Sequence, residues 1–300
     1  MCIRDSNNAA PRARPSTAET ERAIEQALVS REPIPDLPFV IETNYFQQNR
    51  AEYVVPVTLK IPGTQLAASQ SAKRIALDIF GRVTDDYGVS ISKLKDAVEV
   101  LLSDQTASEL QARQIVYEAR FTLLPGRYSF KFVVRDADTD RVGTYETVVV
   151  IPNLSRASTN LPISSVVLSS ELISLDVLSS TTPSGKNPLI VEGKKLVPNA
   201  RGPFSNRRDL IVLLQAYEPN AAATEPLTAF VTLHRGATKV VETRPLTIKD
   251  DLGGKWRTLP VRLRVPLTGL PAGSYDCEVT VLDPSTQKTA VWRSQIGVVN

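Results

Sequence analysis

"LPGRYSFKFVVRD", residues 124–136, comes back near the C-terminus as "LPAGSYDCEVTVLD", residues 270–283. One offset aligns Gly126 and Tyr128 with Gly273 and Tyr275, Asp136 with Asp283, Thr139 with Thr286, and Arg141 with Lys288. Alternate positions are apolar in each copy: Tyr128, Phe130, Phe132 and Val134 in one, Tyr275, Cys277, Val279 and Val281 in the other. A period of two sends one face of a β-strand into a core. Each copy therefore reads as a core strand entered through a tight turn.

The entry has a physical rationale. Glycine lets the backbone bend where a side chain would clash, and proline restricts φ just ahead of it. The tyrosine ring is expected to enter the core with its hydroxyl bonded to upstream backbone, as in the tyrosine corner of immunoglobulin-like sandwiches. The D-x-x-T-x-K/R that follows supplies Asx-type turn chemistry for a hairpin. Gly126, Tyr128, Gly273 and Tyr275 are thus structural candidates, one pair in each of two sandwiches.

The flanking sequence agrees. Short β runs are predicted near 38–46, 52–61, 74–83, 97–103, 114–123, 127–135 and 143–151. A second series falls near 189–197, 209–217, 227–234, 238–248, 257–265, 274–282 and 289–299. No βαβ rhythm is present, so the fold class is all-β: two immunoglobulin/fibronectin III-like antiparallel β-sandwiches. Ser16 and Glu19 have capping-box spacing, which predicts a short N-terminal helix over 17–29 with Ile24, Ala27 and Leu28 on one face. The prolines of "REPIPDLP" end it.

The expected organisation is a polar segment with the helix at 7–36, sandwich one at 37–152, a Ser/Thr-rich and partly packed linker at 153–186, and sandwich two at 187–300. The linker carries Ile163, Val166, Val167, Leu168, Leu172, Ile173, Leu175, Val177 and Leu178, too many apolar groups for a free tether. "MCIRDS", residues 1–6, resembles the translation of a sequencing-library adaptor. On that reading the natural chain continues upstream of Asn7, and no leader is observable. Cys2 then drops out, leaving Cys277 alone and no intrachain disulfide.

The net charge of +3 does not call for a nucleic-acid or anionic-membrane partner. No apolar run reaches the roughly 20 residues of a membrane span. One histidine, His234, removes the common zinc patterns, and no G-x-S-x-G elbow is present. His234 reads as a strand-end residue beside a hairpin turn, and Cys277 as a buried small hydrophobe. Asp85–Asp86 and Asp250–Asp251 lie in turns without a readable partner acid. The basic run Lys194, Lys195, Arg201, Arg207 and Arg208 has only Phe204 between its members, which favours a solvated edge over a nucleic-acid groove.

Asp136, Asp138 and Asp140 form D-x-D-x-D, oxygen ligands of the type calcium favours. Arg141 and Thr147 stand where an EF-hand loop needs Gly and Glu, and the second copy keeps only Asp283. The expectation is a solvated hairpin tip, with these three as the calcium candidates should a metal bind. No catalytic residue and no cofactor is assigned.

"AIEQALVSREPIPDLPFVIETNYF", "LPGRYSFKFVVRDADTDRVGTYETVVVIPNLS", "LIVEGKKLVPNARGPFSNRRDLIVLLQAYEP" and "LPAGSYDCEVTVLDPSTQKTAVWR", in that order, resemble the C-terminal region of bacterial von Willebrand factor type A-related proteins, first grouped in Acidobacteria. The resemblance covers most of the chain after Ser16. In that family a type A domain with a D-x-S-x-S metal site precedes this region. The sequence has no D-x-S-x-S, so no family site residue carries over. The resemblance implies an exported, extracytoplasmic, non-catalytic structural or protein-interaction module, its partner a protein or the type A domain. The alternative is an accessory, carbohydrate-binding part of a secreted hydrolase, stacking sugars on Tyr87, Trp256 or Trp292.

Overall fold

The computed structural model describes the backbone of residues 5–6 and residues 18–66, 74–102, 110, 114–156, 158–174, 187–199, 202–218, 226–249, 252 and 257–300. Strand β1 (Asp5–Ser6) is followed by helix α1 (Ala18–Val29), β2 (Val40–Thr43), β3 (Phe46–Gln47) and β4 (Tyr53–Pro62). Next come β5 (Arg74–Asp85), β6 (Ser90–Leu101), β7 (Gln114–Leu123), β8 (Gly126–Asp136) and β9 (Val142–Ile151). The chain continues with β10 (Val167–Ser169), β11 (Leu172–Ser174), β12 (Ile190–Val191), β13 (Lys194–Leu196), β14 (Phe204–Ser205) and β15 (Leu210–Glu218). It ends with β16 (Leu227–Arg235), β17 (Thr238–Glu242), β18 (Leu246–Ile248), β19 (Arg257–Val265), β20 (Gly273–Asp283) and β21 (Lys288–Val299).

Two compact units result. The first holds the described residues of Met1–Thr43 and Val55–Pro152; the second holds those of Asn44–Val54, Asn153–Ser174 and Asn187–Asn300. In the first, β2, β4 and β7 make one sheet, with β1 parallel along β7. The facing sheet has the order β6-β5-β8-β9. Alternation drives the pairing: Ile75, Leu77, Ile79 and Val83 of β5 and Phe130, Phe132 and Val134 of β8 are buried on the inner face. Phe121 of β7 meets Phe130 edge-on at 5.6 Å.

The outer face of that sheet is not wholly polar. Phe80 and Val133 point outward and are covered by Ile24 and Ala27 of α1, with Leu28 beside them. Buried Lys131 on the same face donates to the carbonyl of Ser30, just past the helix end. A cation there satisfies an orphan carbonyl and complements the helix dipole. Burial lowers the Lys131 ammonium pKa.

The second unit repeats the plan. Strands β10, β15 and β19 form one sheet; β14-β21-β20-β16-β17 form the other, with β18 also on β16. Its core runs from Leu161, Val166 and Leu168 through Leu210, Val212 and Leu214 to Tyr275, Cys277, Val279 and Val281. A small sheet, β11-β13-β12, accompanies it.

Several boundaries differ from expectation. Val167–Ser169 is a strand of the second sandwich, so that sandwich begins upstream of Asn187, inside the stretch expected as linker. Apolar Leu175, Val177 and Leu178 lie outside the described residues, as do Ser16 of the capping box and the side chains of the "MCIRDS" segment. The run at 97–103 starts earlier, at Ser90. The run at 189–197 is a hairpin, turned by Glu192 and Gly193 at φ +51° and +69°. The run at 238–248 is broken before β18, where Pro245 lacks the N–H a ladder needs. The run at 38–46 is split into β2 and β3.

Candidate functional site

The repeated motif builds two equivalent corners. Tyr128 Oη donates to the carbonyl of Leu124 at 3.0 Å, and Tyr275 Oη to that of Pro271 at 2.7 Å. Both rings are buried. The two glycines serve different needs. A Cβ at Gly126 would press on the Tyr128 ring at 3.3 Å, whereas Gly273 sits at φ +153°, which side chains rarely adopt. Arg235 lies over the Tyr275 ring at 5.8 Å.

The equivalence continues into the hairpin. Asp136 Oδ1 accepts from the N–H of Asp138 at 3.0 Å. Asp283 Oδ1 accepts from the N–H groups of Ser285 and Thr286, at 2.9 and 3.2 Å, and from Ser285 Oγ. Asp140 and Gln287, aligned by the same offset, both adopt φ +58°. Burial raises the Asp283 carboxyl pKa, but the hydrogen bonds from Ser285 and Thr286 outweigh it, and the net shift is downward. These acids close turns.

The three calcium candidates do not converge. Asp136 is buried at its turn. Asp138 pairs with Arg74 at 3.3 Å. Asp140 pairs with Arg135, which also holds Asp78 at 2.8 Å. Desolvation works against the Arg135 charge, yet Asp140 and Asp78 outweigh it and raise its pKa. Among the described residues no group of three or more His, Cys, Asp or Glu side chains has metal-holding geometry.

The other candidates also fall into structural places. His234 is half-buried at the end of β16, one residue past a register shift and two before Gly236 at φ +60°. Cys277 is buried, and desolvation pushes its thiol up to about 12. Asp85 Oδ1 accepts from the N–H of Tyr87 and of Val89 at 2.9 and 2.8 Å, closing the β5–β6 turn. Asp86 pairs with Arg127 at 3.4 Å. Lys194, Arg207 and Arg208 are exposed, but Lys195 and Phe204 are buried, so the basic run is not one solvated edge. Tyr87 is 91% exposed. Trp292 packs partly buried against the second core. Asp250, Asp251, Arg201 and Trp256 lie outside the described residues.

Sequence reading missed the buried charges. Lys60 pairs with Glu42 at 2.8 Å, both buried on neighbouring strands β4 and β2. Glu218 pairs with Arg257 across β15 and β19. It also missed Tyr217, whose hydroxyl donates to Gln215 Oε1 at 3.0 Å and accepts from the N–H of Gln47 at 2.8 Å. Burial raises the pKa of that phenol. Only strand register could have revealed these partners.

No family model matches the chain, and no curated protein does. Among solved structures, the C-terminal domain of the AgI/II polypeptide BspA from Streptococcus agalactiae is similar at a TM-score of 0.21 and 8% identity, over 87% of this chain and 100% of that one. No function is transferred at that level. The strands define an all-β protein whose two units each set one mainly antiparallel sheet against another, the sandwich arrangement of fibronectin III-like domains. No helix among the described residues is long and apolar enough to cross a membrane.

Proposed function

We propose that the chain is a non-catalytic structural or protein-interaction module of an exported protein related to the von Willebrand factor type A family. The observation that carries this reading is the commitment of its reactive groups. Asp136, Asp283 and Asp85 close turns, Arg74 and Arg135 hold Asp138 and Asp140, and Cys277 lies in a core. What such a sandwich offers a partner is backbone along its strand edges and side chains on its outer faces.

The family relation and the extracytoplasmic setting rest on the order of the quoted segments, and the partner is a protein or a type A domain of the same chain. Reading the intact gene that holds this coding sequence tests this. A leader followed by a type A domain with D-x-S-x-S supports it, and a catalytic domain there overturns it. Among the described residues the carbohydrate-binding alternative has the exposed ring of Tyr87 in its favour. Trp292 leans on the core rather than standing free.

A further inference from the structure

Sheet edges are hazards that folded proteins blunt with short strands, prolines, bulges, charges or covering segments. Most edges here carry such a device. Strand β2 has four residues and β10 three. Strand β7 is joined by β1. Strand β6 has a bulge at Ile91, lysines at 93 and 95, and its Ala97 N–H bonded to Asp96 Oδ1 at 2.9 Å. In the second unit β19 contains Pro260, and β21 is engaged by β14 at one end and Leu161 at the other.

Strand β9 is protected over its first residues only. Leu37 N–H donates to Val142 O at 3.1 Å, and Thr144 N–H to Ile34 O at 2.9 Å. The backbone groups of residues 142 and 144 therefore point away from β8. Alternation along the unbroken antiparallel ladder with β8 sends those of Glu146, Val148 and Val150 the same way. Each of these three offers an N–H and a C=O that bond to no described residue. From Glu146 to Ile151 the strand has one charge, no proline and no glycine, the composition of a segment prone to strand pairing. Val148 and Val150 are 50% and 58% exposed. The Glu146 carboxylate accepts from Ser129 Oγ at 2.6 Å and lies 3.9 Å from Lys131, so it is engaged within its own sheet.

The open stretch is bounded by the 34–37 segment on one side and by Pro152, which has no N–H, on the other. Its midpoint is Val148. Placed antiparallel to itself about that residue, it sets Val148 against Val148 of a second copy, Val150 against Glu146 and Thr147 against Val149. The outward backbone groups then meet as hydrogen-bonded pairs. Facing β-branched side chains add to the pairing, and no like charges stand opposite one another. No side chain has to give up a partner it already holds.

We infer that the second half of β9 is a self-association edge: two copies of this chain join β9 to β9 about Val148, merging their four-stranded sheets into one. The inference goes beyond the proposed function. A monomer would leave that reading standing, and a catalytic domain in the intact gene would leave the dimer standing.

The test is sedimentation velocity of the full chain over a concentration series, with melting curves as fold controls. The wild-type chain is expected to shift from monomer to dimer as concentration rises. Val148→Lys and Val148→Glu each place like charges face to face and weaken association by about tenfold or more. An equimolar mixture of the two sets lysine against glutamate and restores the dimer. Val148→Pro removes an outward N–H without touching the β8 ladder, and it also lowers association. A chain that stays monomeric at every concentration overturns the proposal. So does a dimer indifferent to Val148→Lys and Val148→Pro, or a mixture of the folded lysine and glutamate variants that does not associate.

Discussion

The hydroxyl of Tyr275 donates to the carbonyl of Pro271, four residues upstream, at 2.7 Å. The same bond joins Tyr128 to Leu124 at 3.0 Å. Tyr275→Phe keeps the ring and removes this part-buried hydrogen bond, a loss of roughly 0.5–1.5 kcal/mol. Tyr128→Phe is expected to cost less, because Tyr128 is 8% exposed against 1% for Tyr275. Urea midpoints for the two variants check the order. Equal midpoints to wild type in both would remove the corner from the stability account.

Gly143 lies where the chain before β2 crosses β9. A Cβ there would stand 1.8 Å from the carbonyl oxygen of Leu37. Gly143→Ala must displace the 34–37 segment, costing roughly 1–3 kcal/mol or more. Limited proteolysis is expected to cut first near residues 30–37 in the variant and to spare them in wild type.

Phe46 falls in sequence between β2 and β4 of the first sandwich, yet it belongs to the second unit, where its ring is buried with Val167, Leu189, Leu196, Ile211 and Leu213. Phe46→Ala is expected to cost about 3–5 kcal/mol there. Hydrogen exchange should quicken in β13 and β15 more than in β5 and β8. The reverse pattern would reassign the residue.

Melting is expected to be unchanged by calcium or by chelator. A cation that bound the folded state alone would raise the transition with concentration, and arginines already hold Asp138 and Asp140. A calcium-dependent rise abolished by Asp138→Asn would establish a site.

The Asp283 pKa is lower in the fold than in the unfolded chain. Its contribution is therefore present above the unfolded value of about 3.9 and lost as pH falls through the folded value. Asp283→Asn should flatten the acid side of the second unit's stability curve, below about pH 4. An identical acid limb in both proteins would show that the turn tolerates the neutral acid.

The repeated Leu-Pro entry, the alternation after Tyr128 and Tyr275, and the D-x-x-T turns were readable because each depends on residues close in the chain. Strand β19 falls where the run at 257–265 predicts. The reach of β6 back to Ser90 was hidden by Ser92, Lys93 and Lys95, since an edge strand shows the solvent polar side chains that loops also carry. Strand β10 was hidden by the serines around Val167 and Leu168. The partners of Lys60, Arg257, Tyr217 and Phe46 could not be read at all. Each is chosen by register or packing between distant segments, and sequence spacing does not encode which strands will lie side by side. Sequence alone determined that there are two β-sandwiches, each closed by a tyrosine at a bend. Only the tertiary structure decided which acids are neutralised, which edges are covered, and that residues 44–54 belong to the second unit rather than the first.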